Sequence, residues 1–200
     1  MAVAASSLIT AAQFKPYLGP DYAGTTNDTL FELLIDSVSE MFNGRVARML
    51  AKTTHTDVYI DGNGKESLIL PNFPIVSITS IHEDGVLLTE GAAADYVVDY
   101  ACGIIHRVGG VWLRGRKTVK ITYTAGYVVQ GASPGTGETA LPADIKLGCM
   151  IQVAREWKKT QGSEWGETSR NFPDGSTSHV ERGLLKEVEE ILQKYRRYRV

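Results

Sequence analysis

The stretch that most constrains this chain runs from Thr118 to Lys159: a strand, a Gly/Pro-rich loop and a helix that is apolar on almost every side. In Thr118–Thr124, Val119, Ile121 and Tyr123 fall on one face and Lys120, Thr122 and Thr124 on the other, the period of a half-buried strand. Gly131, Pro134, Gly135 and Gly137 mark the loop. Leu141-Pro142-Ala143-Asp144 opens the helix, with a proline where a first-turn N–H has no intrahelical partner and an acid near the positive helix end. From Ile145 the sequence runs through Leu147, Cys149, Met150, Ile151, Val153, Ala154 and Trp157. Such a helix is expected to be surrounded by the rest of the fold.

The preceding segments are helical and then alternating. Ser7–Phe14 predicts a short helix from a Ser cap, stopping near Pro16 before Gly19-Pro20. A second helix starts at Asn27 or Asp28, with Leu30, Leu33, Leu34, Ser37, Val38 and Met41 at helical spacing. Asp28, Glu32, Asp36 and Glu40 form a separate acidic stripe, either solvated or offered to a basic neighbour. After Lys52 the period falls to two. Val58–Ile60 and Ser67–Leu70 flank Asp61-Gly62-Asn63-Gly64, which has hairpin chemistry. Ile75–Ile81 leads to an Asp84-Gly85 turn and Val86–Leu88, and Tyr96–Val98 pairs with Ile104–His106 across Cys102-Gly103. The class is α+β: a frame of about four helices with an inserted antiparallel β-meander over 56–124 and an extended C-terminal helical arm.

Beyond the central helix, Gln161–Ser178 is rich in Gly, Ser, Thr and Glu, with Trp165 and Phe172 as isolated aromatics. It has the composition of a loop that orders only against a partner. A last helix begins near His179, with Leu184, Leu185, Val188, Ile191, Leu192 and Tyr195 on one face. It ends in a basic, aromatic tip containing Lys194, Arg196, Arg197 and Arg199. Contact with nucleic-acid phosphates, favourable placement at a negative helix end, and contact with an acidic protein surface all account for this tip. The domain division is a core over 1–160 and a flexible linker with helical arm over 161–200.

Overall charge weighs against the nucleic-acid account. The 200 residues carry a net charge of −2, so no basic field covers the molecule as a whole. Its two cysteines, Cys102 and Cys149, suggest structural thiols in a reducing compartment and no disulfide framework. Met1–Ala5 lacks a basic start and is expected to be an arm and not a signal peptide. No apolar run approaches the roughly 20 residues of a membrane span.

Reactive motifs are missing their decisive residues. Gly131–Thr139 lies between strand and helix like a phosphate-binding loop. That chemistry needs a lysine before the final Ser/Thr, and Glu138 stands there, so a carboxylate would repel the phosphates. His55, His82, His106 and His179 lack ligand spacing, and neither cysteine is in a C-x-x-C pair. Asp61–Lys65 starts like a calcium loop, but Lys65 occupies a ligand position. No Gly-x-Ser-x-Gly elbow occurs. The expectation is a non-enzyme with no catalytic residues, metal or cofactor.

The order of parts resembles the head–tail connector (adaptor, or head completion) proteins of tailed bacteriophages and prophages. The resemblance is carried by Leu8-Ile9-Thr10, Asp28–Ile35, Tyr59–Gly64, Leu68–Ile78, Asp95-Tyr96, Gly103–Ile105, Val119–Tyr127, and Leu141–Lys146 leading to Trp157. It covers about residues 7–160, and the Gln161–Val200 extension departs from it. The resemblance implies a structural virion protein that forms a closed ring with copies of itself, often a dodecamer, under the portal. Such a ring bridges the portal to the next connector, stopper or tail protein. Genomic DNA would pass through its channel without sequence-specific binding, and no membrane is involved. It implies assembly in the host cytoplasm and residence at the virion head–tail interface. Candidate partner-binding residues are Asp28, Glu32, Asp36, Glu40, Trp165, Phe172, Lys194, Arg196, Arg197 and Arg199. The alternative is a small nucleic-acid-binding module using the basic tip.

Overall fold

The first helix, α1 (Ala11–Leu18), is set by its cap. Thr10 accepts from the Gln13 backbone N–H at 3.3 Å, while Gln13 accepts from the Thr10 N–H at 3.2 Å, the reciprocal pair of a capping box. The start is therefore three residues later than a Ser7 cap. Ser7 is buried and its hydroxyl donates to Asp36. The computed structural model describes residues 4–161, 169–171, 177–179 and 183–197. They divide into a helical unit, from Met1–Ala47 and Leu141–Tyr198, and a β unit over Arg48–Ala140.

In the helical unit, α2 (Asp28–Val46) buries Phe31, Ile35, Val38, Phe42 and Val46. This face is rotated from the Leu30/Leu33/Leu34 stripe expected from spacing, and Leu33 is 64% exposed. Two apolar stripes compete on this helix, and the one holding both phenylalanines buries more area. The helix ends at Ala47 in the left-handed region, whose N–H bonds Asn43 O. Helix α3 (Ala143–Gln161) buries Ile145, Gly148, Cys149, Gln152, Val153 and Trp157. Phe31 meets Trp157 edge-on at 4.7 Å, with Tyr22 against the same indole at 6.0 Å. Helix α4 (Lys186–Lys194) buries Val188 and Leu192. Added at Gly148, a Cβ would meet Ile191 at 3.6 Å and Val188 at 3.8 Å, so α3 and α4 pack closely. Buried Gln152 holds the approach to α4: its amide donates to Gly183 O at 3.3 Å, and its carbonyl accepts from Leu185 N–H at 3.1 Å.

The β unit contains β1 (Thr53–Gly62), β2 (Ser67–Ile69), β3 (Ile75–Glu83), β4 (Val86–Leu88), β5 (Tyr96–Asp99), β6 (Ile104–Arg107) and β7 (Gly115–Ala125). These strands pair antiparallel, in sheets of order β1-β7-β3-β4 and β2-β6-β5. Strand β7 is the Thr118 strand of the sequence. Val119, Ile121, Tyr123 and Ala125 are all fully buried, with β1 on one edge and β3 on the other. The β3–β4 hairpin turns at Asp84-Gly85, both at positive φ, and Val97 faces His106 across the β5–β6 hairpin.

The 58–70 region differs from the hairpin expected of it. β1 pairs with β7 and β2 with β6, so Gly62–Gly64 passes the chain from one sheet to the other. Gly62 is needed for close approach: a Cβ there would sit 1.7 Å from Leu113 O. Asn63 organises the corner, donating to Ser67 O and accepting from Lys65 N–H. Outside these sheets, β8 (Ser169–Asn171) and β9 (Thr177–His179) pair antiparallel.

Candidate interaction surfaces

The acidic stripe on α2 is not uniform. Asp28 pairs with Lys15 at 2.5 Å, and Asp36 accepts from Ser7 Oγ and from Ala4 N–H at 3.2 Å. Both acids thus help hold the N-terminal residues to α2. Glu32 is half-buried, whereas Glu40 is exposed beside exposed Ser37 and near Leu33.

The C-terminal tip splits similarly. Tyr195 donates to Asp144 at 2.8 Å, and Arg197 N–H bonds Val46 O at 3.0 Å, satisfying a carbonyl at the end of α2. Lys194 and Arg196 remain exposed. Trp165, Phe172 and Arg199 lie outside the described residues.

Helix α3 shows what spacing alone did not. Its buried stripe covers one side, and the opposite apolar stripe is open. Leu147 is 48% exposed, and Met150, Ile151 and Ala154 are only half-buried. A groove of about 390 Å³ runs there, with Tyr17 and Leu185 as walls, Ile151 and Ala154 as floor, and Arg155, Lys158 and Lys159 adding positive charge. Arg155 donates to Gly183 O at 2.8 Å and Lys159 pairs with Glu156 at 2.9 Å, while Lys158 is exposed. The sequence led to the expectation that the rest of the fold would surround this helix, and the structure instead leaves the Leu147 side uncovered.

The β unit carries a second open surface of about 460 Å³, with Val86, Val111 and Leu113 exposed around the buried Trp112. Arg107 pairs with Glu83 at 3.3 Å, and Glu83 also accepts from Leu113 N–H at 2.7 Å, which fixes the loop forming one wall. Trp112 Nε1 is buried and has no hydrogen-bond partner among the described residues.

The Gly131–Thr139 loop is closed by its own acid. Glu138 pairs with Lys52 at 2.7 Å and accepts from Gly135 N–H at 2.8 Å. Lys52 foremost, then that amide, holds its carboxyl below the usual range. An amide that a phosphate would use is therefore engaged by a carboxylate. The His55 ring lies tilted against Tyr123 at 5.2 Å between centroids, and burial pushes its pKa down. His106 shares a hydrogen bond with Ser67 at 2.9 Å. Burial raises Cys149 to about 12, the state of a packed thiol. Among the described residues no cluster of His, Cys, Asp or Glu could hold a metal ion, and no helix is long and apolar enough to cross a membrane.

The features that stand out are surfaces of contact: an acidic helix face, a basic apolar groove and a tryptophan-floored pocket. This is the class of an assembly subunit. The chain belongs to the head completion protein family, whose model matches residues 7–198. It is thereby a structural head–tail connector protein. Solved structures share the fold. The neck of an empty gene transfer agent particle computed with C6 symmetry matches at TM-score 0.54 and 19% identity. The neck of the native particle computed with C12 symmetry matches at 0.54 and 18%. The virion of the native particle matches at 0.56 and 19%. Each match covers 100% of this chain and 94% of the other. No curated protein matches the chain.

Proposed function

We propose that this chain forms a closed ring at the virion neck, docked under the portal and bridging it to the next connector, stopper or tail protein. The ring, a dodecamer in this reading, leaves a channel through which genomic DNA passes without sequence-specific contacts. Its role is structural and not catalytic, and it joins the head during assembly in the host cytoplasm. The observation that carries the proposal is the family match over residues 7–198, supported by a whole-chain fold likeness to neck structures computed with C6 and C12 symmetry.

A head-to-tail ring needs two different complementary surfaces on every subunit. The candidate residues on α2 and at the C-terminal tip belong to those surfaces, as do Trp165, Phe172 and Arg199. The partner-reaching role belongs to residues 161–200, with α4 as their anchor on the helical unit.

Deleting the gene from the particle that encodes it tests the proposal. DNA-filled heads without tails should accumulate, and the intact chain supplied separately should restore tail attachment. Normal tailed particles in its absence would overturn the reading.

A further inference from the structure

We propose that the outward face of α3 is the socket for the outward face of α2 on the next copy of this chain. The inference rests on the ring reading above and names the repeating contact within it.

Geometry supplies the first argument. Phe31 packs on Trp157, and a Gly148 Cβ would touch Phe42 at 4.0 Å, so α2 and α3 run antiparallel along a shared seam. At about 100° per residue, Leu33, Ser37 and Glu40 lie on the side of α2 opposite Phe31, Ile35 and Phe42. Leu147, Ile151, Ala154 and Lys158 likewise lie opposite Ile145, Cys149 and Val153 on α3. The two faces therefore point away from one seam on opposite flanks of the helical unit. A heterologous contact that closes a ring requires this arrangement, whereas a two-fold contact requires one self-complementary patch.

The second argument is chemical. The α3 face is an apolar groove with a cationic edge, where small Ala154 leaves depth and Lys158 is exposed. The α2 face offers the opposite: Leu33, 64% exposed, set between half-buried Glu32 and the exposed Glu40. An apolar knob flanked by carboxylates complements an apolar groove edged by ammonium and guanidinium groups. The apolar burial supplies affinity, and the charges fix register and exclude like faces. A second copy of this chain is therefore the occupant that satisfies both flanks at once.

The test is disulfide trapping in particles assembled with the full chain, in a Cys102→Ser background. Leu33→Cys is combined in turn with Leu147→Cys, Ile151→Cys and Ala154→Cys, and the particles are oxidised. At least one pair should give a ladder of covalent multimers on a non-reducing gel, while chains with either substitution alone stay monomeric. Glutaraldehyde treatment of the same particles separates the failures. A glutaraldehyde ladder without a disulfide ladder from any pair overturns the α2–α3 contact and leaves the ring. No ladder with either reagent overturns both. A dimer from a single substitution, or trapping of a different protein on the α3 face, also overturns the proposed contact.

Discussion

In the β unit, β7 is paired on both edges, and its inward residues Val119, Ile121, Tyr123 and Ala125 are sealed within the unit. In the helical unit, α3 is sealed on one side by α2 and α4, yet keeps a second apolar stripe at Leu147, Ile151 and Ala154 open. Both segments look like core in the sequence. The difference teaches that an apolar residue in a subunit proposed to form a ring has two possible destinations, its own core or the neighbouring copy's surface. Substitutions in the two places should therefore separate stability from assembly.

The largest stability losses belong to the sealed positions. Trp157→Ala in the helical unit should lower unfolding free energy by about 3–5 kcal/mol, and Ile121→Ala in the β unit by about 2–5 kcal/mol, measured by urea denaturation. A loss below about 1 kcal/mol at either site would break the comparison at its base. Gln152→Leu comes next. It strands the Leu185 N–H beside α3, while Gly183 O keeps its bond from Arg155, and should cost about 1–3 kcal/mol. Thr10→Ala removes the α1 cap and should cost about 1 kcal/mol.

Leu147→Ser sharpens the contrast from the other direction. With no core role, it should change stability by no more than about 0.5 kcal/mol while depleting rings in assembled particles. A stability loss equal to that of Ile121→Ala would mean that the α3 stripe is core after all.

The smallest effect is confined to acid. Glu138 has a folded pKa below its ordinary 4.5, so its contribution to holding the 131–139 loop is present above that value and is lost as pH falls through the folded pKa. The protection factor of the Gly135 amide, the unstructured exchange rate divided by the observed rate at the same pH, should fall as pH drops below about 4.5, and Glu138→Gln should remove most of that pH dependence.

Much of the fold was legible because its signals are local. The alternation of β7, the Asp84-Gly85 turn and the pairing of Val97 with His106 follow from period and turn chemistry. Strand order was not local information: β7 fits between β1 and β3 through side chains distant in sequence, and Gly62 looked like a turn glycine when Leu113 O dictates it. The buried face of α2 was displaced because Leu33 and its neighbours match helical spacing as well as Phe31 and Ile35 do. Leu33 is apolar without being core, which spacing cannot express. The candidate surfaces were half legible. Acids at fourfold spacing marked α2, but nothing in the sequence showed Asp28 and Asp36 engaged by Lys15 and Ser7, or Tyr195 turned onto Asp144. The open stripe on α3 appeared in the sequence only as an excess of apolar residues.

The most direct test of the central claim is the mass of the complex that the full chain forms on its purified portal, measured by native mass spectrometry. The account predicts one cooperative species carrying a complete ring of this chain, with no appreciable population of partly filled portals. Independent binding of single copies, with every intermediate stoichiometry populated, would contradict it.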